Sequence, residues 1–339
     1  MAEYFLTGGT GFVGGHLADQ LLEAGHDLVV LARDPADASA LADSGADVVA
    51  GDLRDPETMR EPMRGVDGVF HLAAWYEVGP ADPSGMEAIN VDGTRHVLEL
   101  VDDLDVPRAV YTSTLAVNSD TGGAVVDEDY RFDGEHLSEY DRTKWEAHHE
   151  VAVPMAEAGV PVVTVMPGVI YGPGDESAVG RAIRQFLAGD LPVIPRRTAY
   201  TWGHVDDVAR AHVQAMERGE PGAEYIVGGP IATLVEAFDY VAEAAGRPPP
   251  RALPPWVFGA LAPVAQVLER VVTLPQDYRA ETLRVLAGAT YLGDNTRATQ
   301  ELGLEHRPLR EGLAATVATE MATEERDQDA AAVGGGPEG

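Results

Sequence analysis

The chain has 339 residues, 45% of them hydrophobic, which is enough for a large core and for a second unit beside the first. Its 56 acidic against 24 basic residues leave a formal charge of -32, a sign that opposes binding to nucleic acid or to anionic membranes. It has no cysteine, so disulfides, thiol nucleophiles and Cys-type zinc sites are excluded together.

Self-repulsion of this size weakens a compact fold in dilute buffer and fades at molar salt, where the Debye length is about 3 Å. A cytoplasmic protein of a salt-rich, halophilic cytoplasm is the expectation. Arginine supplies every side-chain cation but one, because Lys144 is the only lysine. Met1 to Leu6 runs straight into a strand pattern, with no room for a signal peptide. The most apolar segment, Ala252 to Val272, is broken by Pro254, Pro255, Pro263, Gln266, Glu269 and Arg270 and falls short of a membrane span. A buried helix is expected at Trp256 to Val267, with a cover for an apolar substrate or a membrane contact as alternatives.

Short β-branched runs at Glu3 to Thr7, Asp27 to Ala32, Asp47 to Gly51, Gly68 to Ala73, Arg108 to Ser113 and Pro161 to Met166 predict strands. Between them Gly14 to Ala24, Met86 to Leu104 and Ser138 to Ala158 carry apolar residues at helical spacing. This alternation predicts an α/β fold, a Rossmann-type doubly wound parallel sheet with a smaller, mostly helical C-terminal substrate domain. The dinucleotide-binding domain is expected at 1–171 and 204–229, with Tyr225 to Val227 returning to the sheet. The substrate domain is expected at 172–203 and 230–320, and 321–339 as a disordered acidic tail.

Thr7-Gly8-Gly9-Thr10-Gly11-Phe12-Val13-Gly14 joins the first strand to the first helix. Glycines there permit a tight turn and close backbone approach to a pyrophosphate, so Gly8, Thr10, Gly11, Phe12, Val13 and Gly14 are candidate cofactor contacts. The second strand ends Leu31-Ala32-Arg33-Asp34. Ala32 offers no side-chain bond to a ribose hydroxyl and Arg33 can clamp a 2′-phosphate, which favours NADP, while Asp34 leaves NAD open.

In the helical pattern Tyr140-Asp141-Arg142-Thr143-Lys144 an i,i+4 spacing puts a phenol and an ammonium on one face. A nearby cation should lower a phenol from about 10, and Tyr140 could then pass a proton while a nicotinamide exchanges hydride. A lone lysine in an arginine-using chain points to a need for a compact ammonium. Ser113 and Thr114 lie at the carboxyl edge of the fifth strand, where either hydroxyl could hold the substrate oxygen. Trp75, Tyr76, Tyr171 and Tyr200 are candidate walls of a substrate pocket. His148 and His149 are adjacent on a helix and diverge, so no metal is expected. Gly-x-Ser-x-Gly is absent, which removes the nucleophile elbow of α/β hydrolases.

These segments, with Gly51-Asp52-Leu53, His71 to Ala74, Asn90 to Thr94, Pro167 to Asp175, His204 to Ala209 and Glu301-Leu302-Gly303, resemble the extended short-chain dehydrogenase/reductase family, the NAD-dependent epimerase/dehydratase family. The resemblance covers nearly the whole chain. It implies that Asp52 and Leu53 flank the adenine, that Ala73, Ala74 and Pro167 line the cofactor, and that Lys144 bonds the nicotinamide ribose. It also implies Tyr140 as acid/base with Thr114 as hydroxyl partner, where most relatives have serine, and Asn90 near the site. Arg33-Asp34-Pro35 resembles the dihydroflavonol-reductase-like branch. Sugar-nucleotide enzymes of the family commonly carry an arginine four residues before the position of His204; this chain has Tyr200 there, with Arg196 and Arg197 as candidate substitutes. A small-molecule substrate and a possible homodimer through the Tyr140 helix are implied. Carbonyl reduction with NADPH leads, ahead of a nucleotide-sugar epimerase or dehydratase and of a non-catalytic dinucleotide-binding protein.

Overall fold

The computed structural model describes residues 1–269 and 271–334. Six strands, β1 (Glu3–Thr7), β2 (Asp27–Ala32), β3 (Asp47–Ala50), β4 (Gly68–His71), β5 (Ala109–Thr112) and β6 (Val162–Pro167), form one sheet with the later strand Glu224–Val227. Every pairing is parallel, and the order across the sheet is Glu224–Val227, β6, β5, β4, β1, β2, β3. The strands lie within two residues of the expected ends, and Tyr225 to Val227 does return to this sheet.

Period-two alternation divides the strand residues between two cores. Leu6, Val30, Phe70, Val110 and Val163 face the helices Phe12–Glu23 and Val205–Arg218. Phe5, Val29, Val69, Tyr111 and Val162 face the helix Gly93–Asp103 and the helical stretch from Glu139 to Glu157. A sheet covered on both faces needs apolar residues in both registers, which explains the near-continuous apolar strands. The chain crosses from one side to the other between β1 and β4, the switch point where such sheets bind ligands.

A second, smaller sheet pairs Ala199–His204 with Val169–Tyr171, Ile231–Thr233 and Thr290–Tyr291. Around it pack the helices Ala178–Ala188, Leu234–Ala245 and Leu309–Gly334, with Phe186, Trp202, Phe238 and Leu313 in the core. The helix Pro255–Leu268 is only half as expected. Phe258, Ala262 and Ala265 are buried against the helix Ala280–Leu286, but Trp256 is 72% exposed and Val264 55%. A lone partner helix covers one stripe, and this sequence is apolar all round. No helix among the described residues is long and apolar enough to cross a membrane. The expected disordered tail is helical as far as Gly334, where Ala and Glu favour that state; residues 335–339 lie outside the described residues.

Candidate active site

At the end of β1 the backbone turns through Gly8 at φ +79°, and the Gly11 amide donates to the Gly8 carbonyl at 3.0 Å. A Cβ on Gly8 would sit 2.6 Å from the Ala73 nitrogen, and one on Gly14 would sit 2.0 Å from the Gly8 oxygen. Only glycine fits either place. The helix Phe12–Glu23 then begins with no side-chain cap and no acid in its first turn, so its positive end is left for an anion. Thr10 and Gly11 are exposed and Phe12 and Val13 half-buried. The turn at Gly8 to Gly14 has the room and the free helix end that a dinucleotide pyrophosphate needs.

Past β2, Arg33 is exposed and lies near enough to Asp52 to help lower its carboxyl. Asp52 is held at about 2, first by its hydrogen bonds from Arg54, the Nη2 to Oδ2 distance being 2.6 Å. Asp34 caps the short turn Pro35–Ala38, accepting from the Ala36 amide at 3.0 Å. Its carboxylate is thus engaged locally. Leu53 is buried against Gly93 and its carbonyl bonds His96 at 2.8 Å. Ala73 and Ala74 are half-buried beyond β4, and Pro167 ends β6.

A thread of buried polar groups runs from this turn to the next site. Thr7 Oγ1 meets His71 Nδ1 at 2.8 Å, His71 Nε2 meets Thr94 Oγ1 at 3.0 Å, and Thr94 donates to the Asn90 carbonyl at 2.7 Å. Asn90 Nδ2 donates to Thr143 Oγ1 at 3.0 Å, and the same side chain holds both the amide and the carbonyl of Trp75. Asn90 is therefore a positioning residue for the loop after β4 as well as for the helix that carries Tyr140.

That helix, Glu139–Glu146, is capped by Ser138, whose hydroxyl accepts from the Asp141 amide at 3.1 Å. Arg142 takes its outer face, pairing with Glu139 and Glu146, while Tyr140, Thr143 and Lys144 turn inward and are buried. Lys144 Nζ donates to the Tyr111 hydroxyl at 3.1 Å and to the Thr112 carbonyl at 2.9 Å. Neither partner is charged, and burial pushes the ammonium down to about 7. The Tyr140 phenol is raised well above 10, chiefly by burial and by Tyr76, with the Thr114 hydroxyl acting against them. Lowering of the phenol by Lys144 is not the outcome in this geometry, since the ammonium is turned to β5. Thr114 caps the turn Leu115–Asn118 and faces the phenol, whereas Ser113 is 3% exposed and bonds His148 at 2.7 Å behind the strand.

Tyr76 packs edge-on against Tyr140 at 4.9 Å and is 53% exposed. Tyr200 stacks on Tyr291 at 5.8 Å, and the Tyr291 hydroxyl donates to Asp141 Oδ2 at 3.1 Å. Burial raises the Asp141 carboxyl to about 7. The Trp75 indole nitrogen donates to Glu77 at 3.2 Å at the same strand end. Tyr171 does not join them. It is 1% exposed in the core of the smaller sheet, against Trp202 and His204, because it ends a strand whose inner face is covered. Arg196 and Arg197 are exposed in the link between Val193–Pro195 and Ala199–His204. Asp141, Tyr291 and Tyr111 were outside the expected set. Only Tyr111 left a trace, two residues from Ser113 and so on the same side of the strand.

A glycine turn on a parallel sheet at its switch point, with a buried tyrosine and lysine one helical turn apart beside it, defines a dinucleotide-binding oxidoreductase. The chain belongs to the NAD dependent epimerase/dehydratase family, whose model matches residues 4–228. It is 32% identical over 327 residues to a Synechocystis sp. protein provisionally named dihydroflavonol 4-reductase, with 93% of each chain covered. The crystal structure of gox2253 is similar with a TM-score of 0.82 and 32% identity, covering 95% of this chain and 99% of that one. MoeE5 in complex with UDP-glucuronic acid and NAD is similar at a TM-score of 0.72 and 26% identity, over 95% and 99% of the two chains.

Proposed function

We propose that this protein interconverts a ketone or aldehyde and an alcohol with NADP(H), Tyr140 serving as acid/base. The observation that carries the reading is the burial of Tyr140 with the Thr114 hydroxyl facing it, at the carboxyl edge of the sheet and one turn from Lys144. Bound at the Gly8 to Gly14 cradle, the nicotinamide cofactor supplies or accepts the hydride. Thr114 holds the substrate oxygen toward the phenol, and Tyr140 gives that oxygen a proton in reduction or takes it in oxidation. Lys144, poised near neutrality and turned to Tyr111 and Thr112, would hold the nicotinamide ribose of the bound cofactor rather than lower the phenol. Tyr76, Trp75 and Tyr200 form the wall of the substrate pocket, and the smaller unit at 172–203 and 230–320 is the substrate domain.

Exposed Arg33 and the engagement of Asp34 as a cap support NADP over NAD. Tyr200 in place of the diphosphate-gripping arginine, with Asp141 close behind it, disfavours a nucleotide-sugar substrate. The kinship with MoeE5 keeps the epimerase or dehydratase reading as the second one. Purified protein, assayed in molar salt against a carbonyl panel, is expected to oxidise NADPH in preference to NADH. Tyr140→Phe should cut kcat by about 100-fold or more. A protein that consumes neither cofactor with any carbonyl, yet emerges from purification with tightly held NAD, would favour the second reading.

A further inference from the structure

The stretch Trp75 to Gly79 beyond β4 is anchored at both ends. Asn90 holds Trp75 from the side of the larger sheet, and the segment Gln276 to Glu281 holds the far end. Gln276 Nε2 donates to the Val78 carbonyl at 3.1 Å, while the Arg279 guanidinium donates to the Gly79 carbonyl and lies 3.6 Å from Glu77. Gly79 turns at φ +65°, and a Cβ there would lie 3.3 Å from Thr282 Oγ1, so the loop tip rests directly on the helix Ala280–Leu286. Glu281 Oε2 accepts from the Gly79 amide at 2.9 Å, and the same oxygen accepts from the Glu139 amide at 3.4 Å. Burial raises the Glu281 carboxyl, with these two amides acting against it. Glu139 is the first residue of the helix that carries Tyr140. One side chain thus joins the loop tip, the start of that helix and its own helix.

Tyr76 lies between the two anchors. Its side chain is 53% exposed and meets Tyr140 edge-on at 4.9 Å. A single ring pair does not offset the entropy of ordering a loop, so the place of Tyr76 depends on the loop ends. We infer that Glu281 is a positioning residue for substrate binding: by holding Gly79 and Glu139 on one oxygen it sets the Tyr76 wall against the Tyr140 helix. The Gly79 amide is buried, so without Glu281 it would lack an acceptor and the loop tip would have to move to find one. The phenol itself is kept in place by other bonds. Asn90 holds the Tyr140 helix through Thr143, and Ser138 caps it at the Asp141 amide. Loss of Glu281 therefore loosens the grip on the carbonyl compound and leaves the proton transfer largely intact. Both amides need an acceptor rather than a charge, and a glutamine oxygen in the same place can serve.

The inference rests on the carbonyl-reduction reading. Its test is kcat and KM, with the carbonyl of the panel that is turned over best, for the wild type, Glu281→Ala, Glu281→Gln, Gln276→Ala, Tyr76→Ala and the double variant of Glu281→Ala with Tyr76→Ala. NADPH titration and amide hydrogen exchange over residues 75–81 accompany it. Glu281→Ala is expected to raise KM by about tenfold, with kcat within about twofold, NADPH affinity unchanged and faster exchange in the loop. Glu281→Gln should recover most of the KM. Because the effect runs through Tyr76, adding Glu281→Ala to Tyr76→Ala should raise KM by less than about twofold. Full additivity of the two, or an unmoved KM in Glu281→Ala beside an active wild type, would overturn the inference alone. Should Glu281→Ala fail to fold, Gln276→Ala, which removes the rung to Val78, is expected to raise KM by about threefold, and an unmoved KM there counts equally against it. A wild type that reduces no carbonyl would remove both the reading and this role, whereas loop exchange unaltered by Glu281→Ala would remove the anchor whatever the chemistry.

Discussion

Burial, rather than a paired charge, sets the titration of the two groups flanking Tyr140. Lys144 is lowered from 10.5 to about 7, so below pH 7 both folded and unfolded chains carry the ammonium and the burial penalty is fully present. Stability from this residue is regained as pH rises from about 7 to about 10. Asp141 is raised from 3.8 to about 7, so the fold favours its neutral form, and stability is lost between about pH 4 and pH 7. Together these two groups place a stability minimum near neutrality. In nucleotide-free protein Lys144→Met should therefore melt higher than wild type at pH 6, with the gap closing toward pH 10, while turnover is lost. Asp141→Asn should melt higher at pH 8 and no differently at pH 4. Melting curves across this range check both signs, and a Lys144→Met that melts lower at pH 6 would show that packing outweighs desolvation.

The glycine turn gives a sharper contrast between neighbours. A Cβ on Gly14 would lie 2.0 Å from the Gly8 oxygen, whereas the nearest atom to one on Gly15 is 3.7 Å away. Gly14→Ala should destabilise by about 1–3 kcal/mol and abolish nucleotide binding, while Gly15→Ala, inside the helix, should be neutral or stabilising by up to about 1 kcal/mol. Nucleotide titration by fluorescence and thermal melting separate the two. This turn, the alternating strands and the Tyr140 to Lys144 spacing were legible in the sequence because each is local, decided by neighbours within about seven residues. Long-range placement was not. Nothing near Tyr171 says that its strand packs under Leu309–Gly334, and nothing near Trp256 says that its helix lacks a cover on one side. Asp34 reads equally well as a ribose ligand or a turn cap until the Pro35–Ala38 turn closes on it. Lys144 and Tyr140 lie on one face as their spacing says, but the direction of the ammonium was settled by Tyr111 on another element.

For the molecule as a whole, a formal charge of -32 and an exposed apolar stripe on Pro255–Leu268 respond to salt in the same direction. Salt screens the self-repulsion, and strongly excluded salts strengthen apolar burial. The melting temperature is expected to climb steadily between 0.1 M and 2 M potassium chloride; a flat or falling curve would count against the salt-rich cytoplasm. The thread from Thr7 through His71, Thr94 and Asn90 to Thr143 lies wholly among residues of the larger sheet and its helices. On the proposed function it would act as an internal ruler, fixing the span from the glycine turn to Tyr140 without reference to the smaller sheet. The smaller sheet is thus free to be reshaped, loop by loop, for new substrates while the reacting distance stays calibrated.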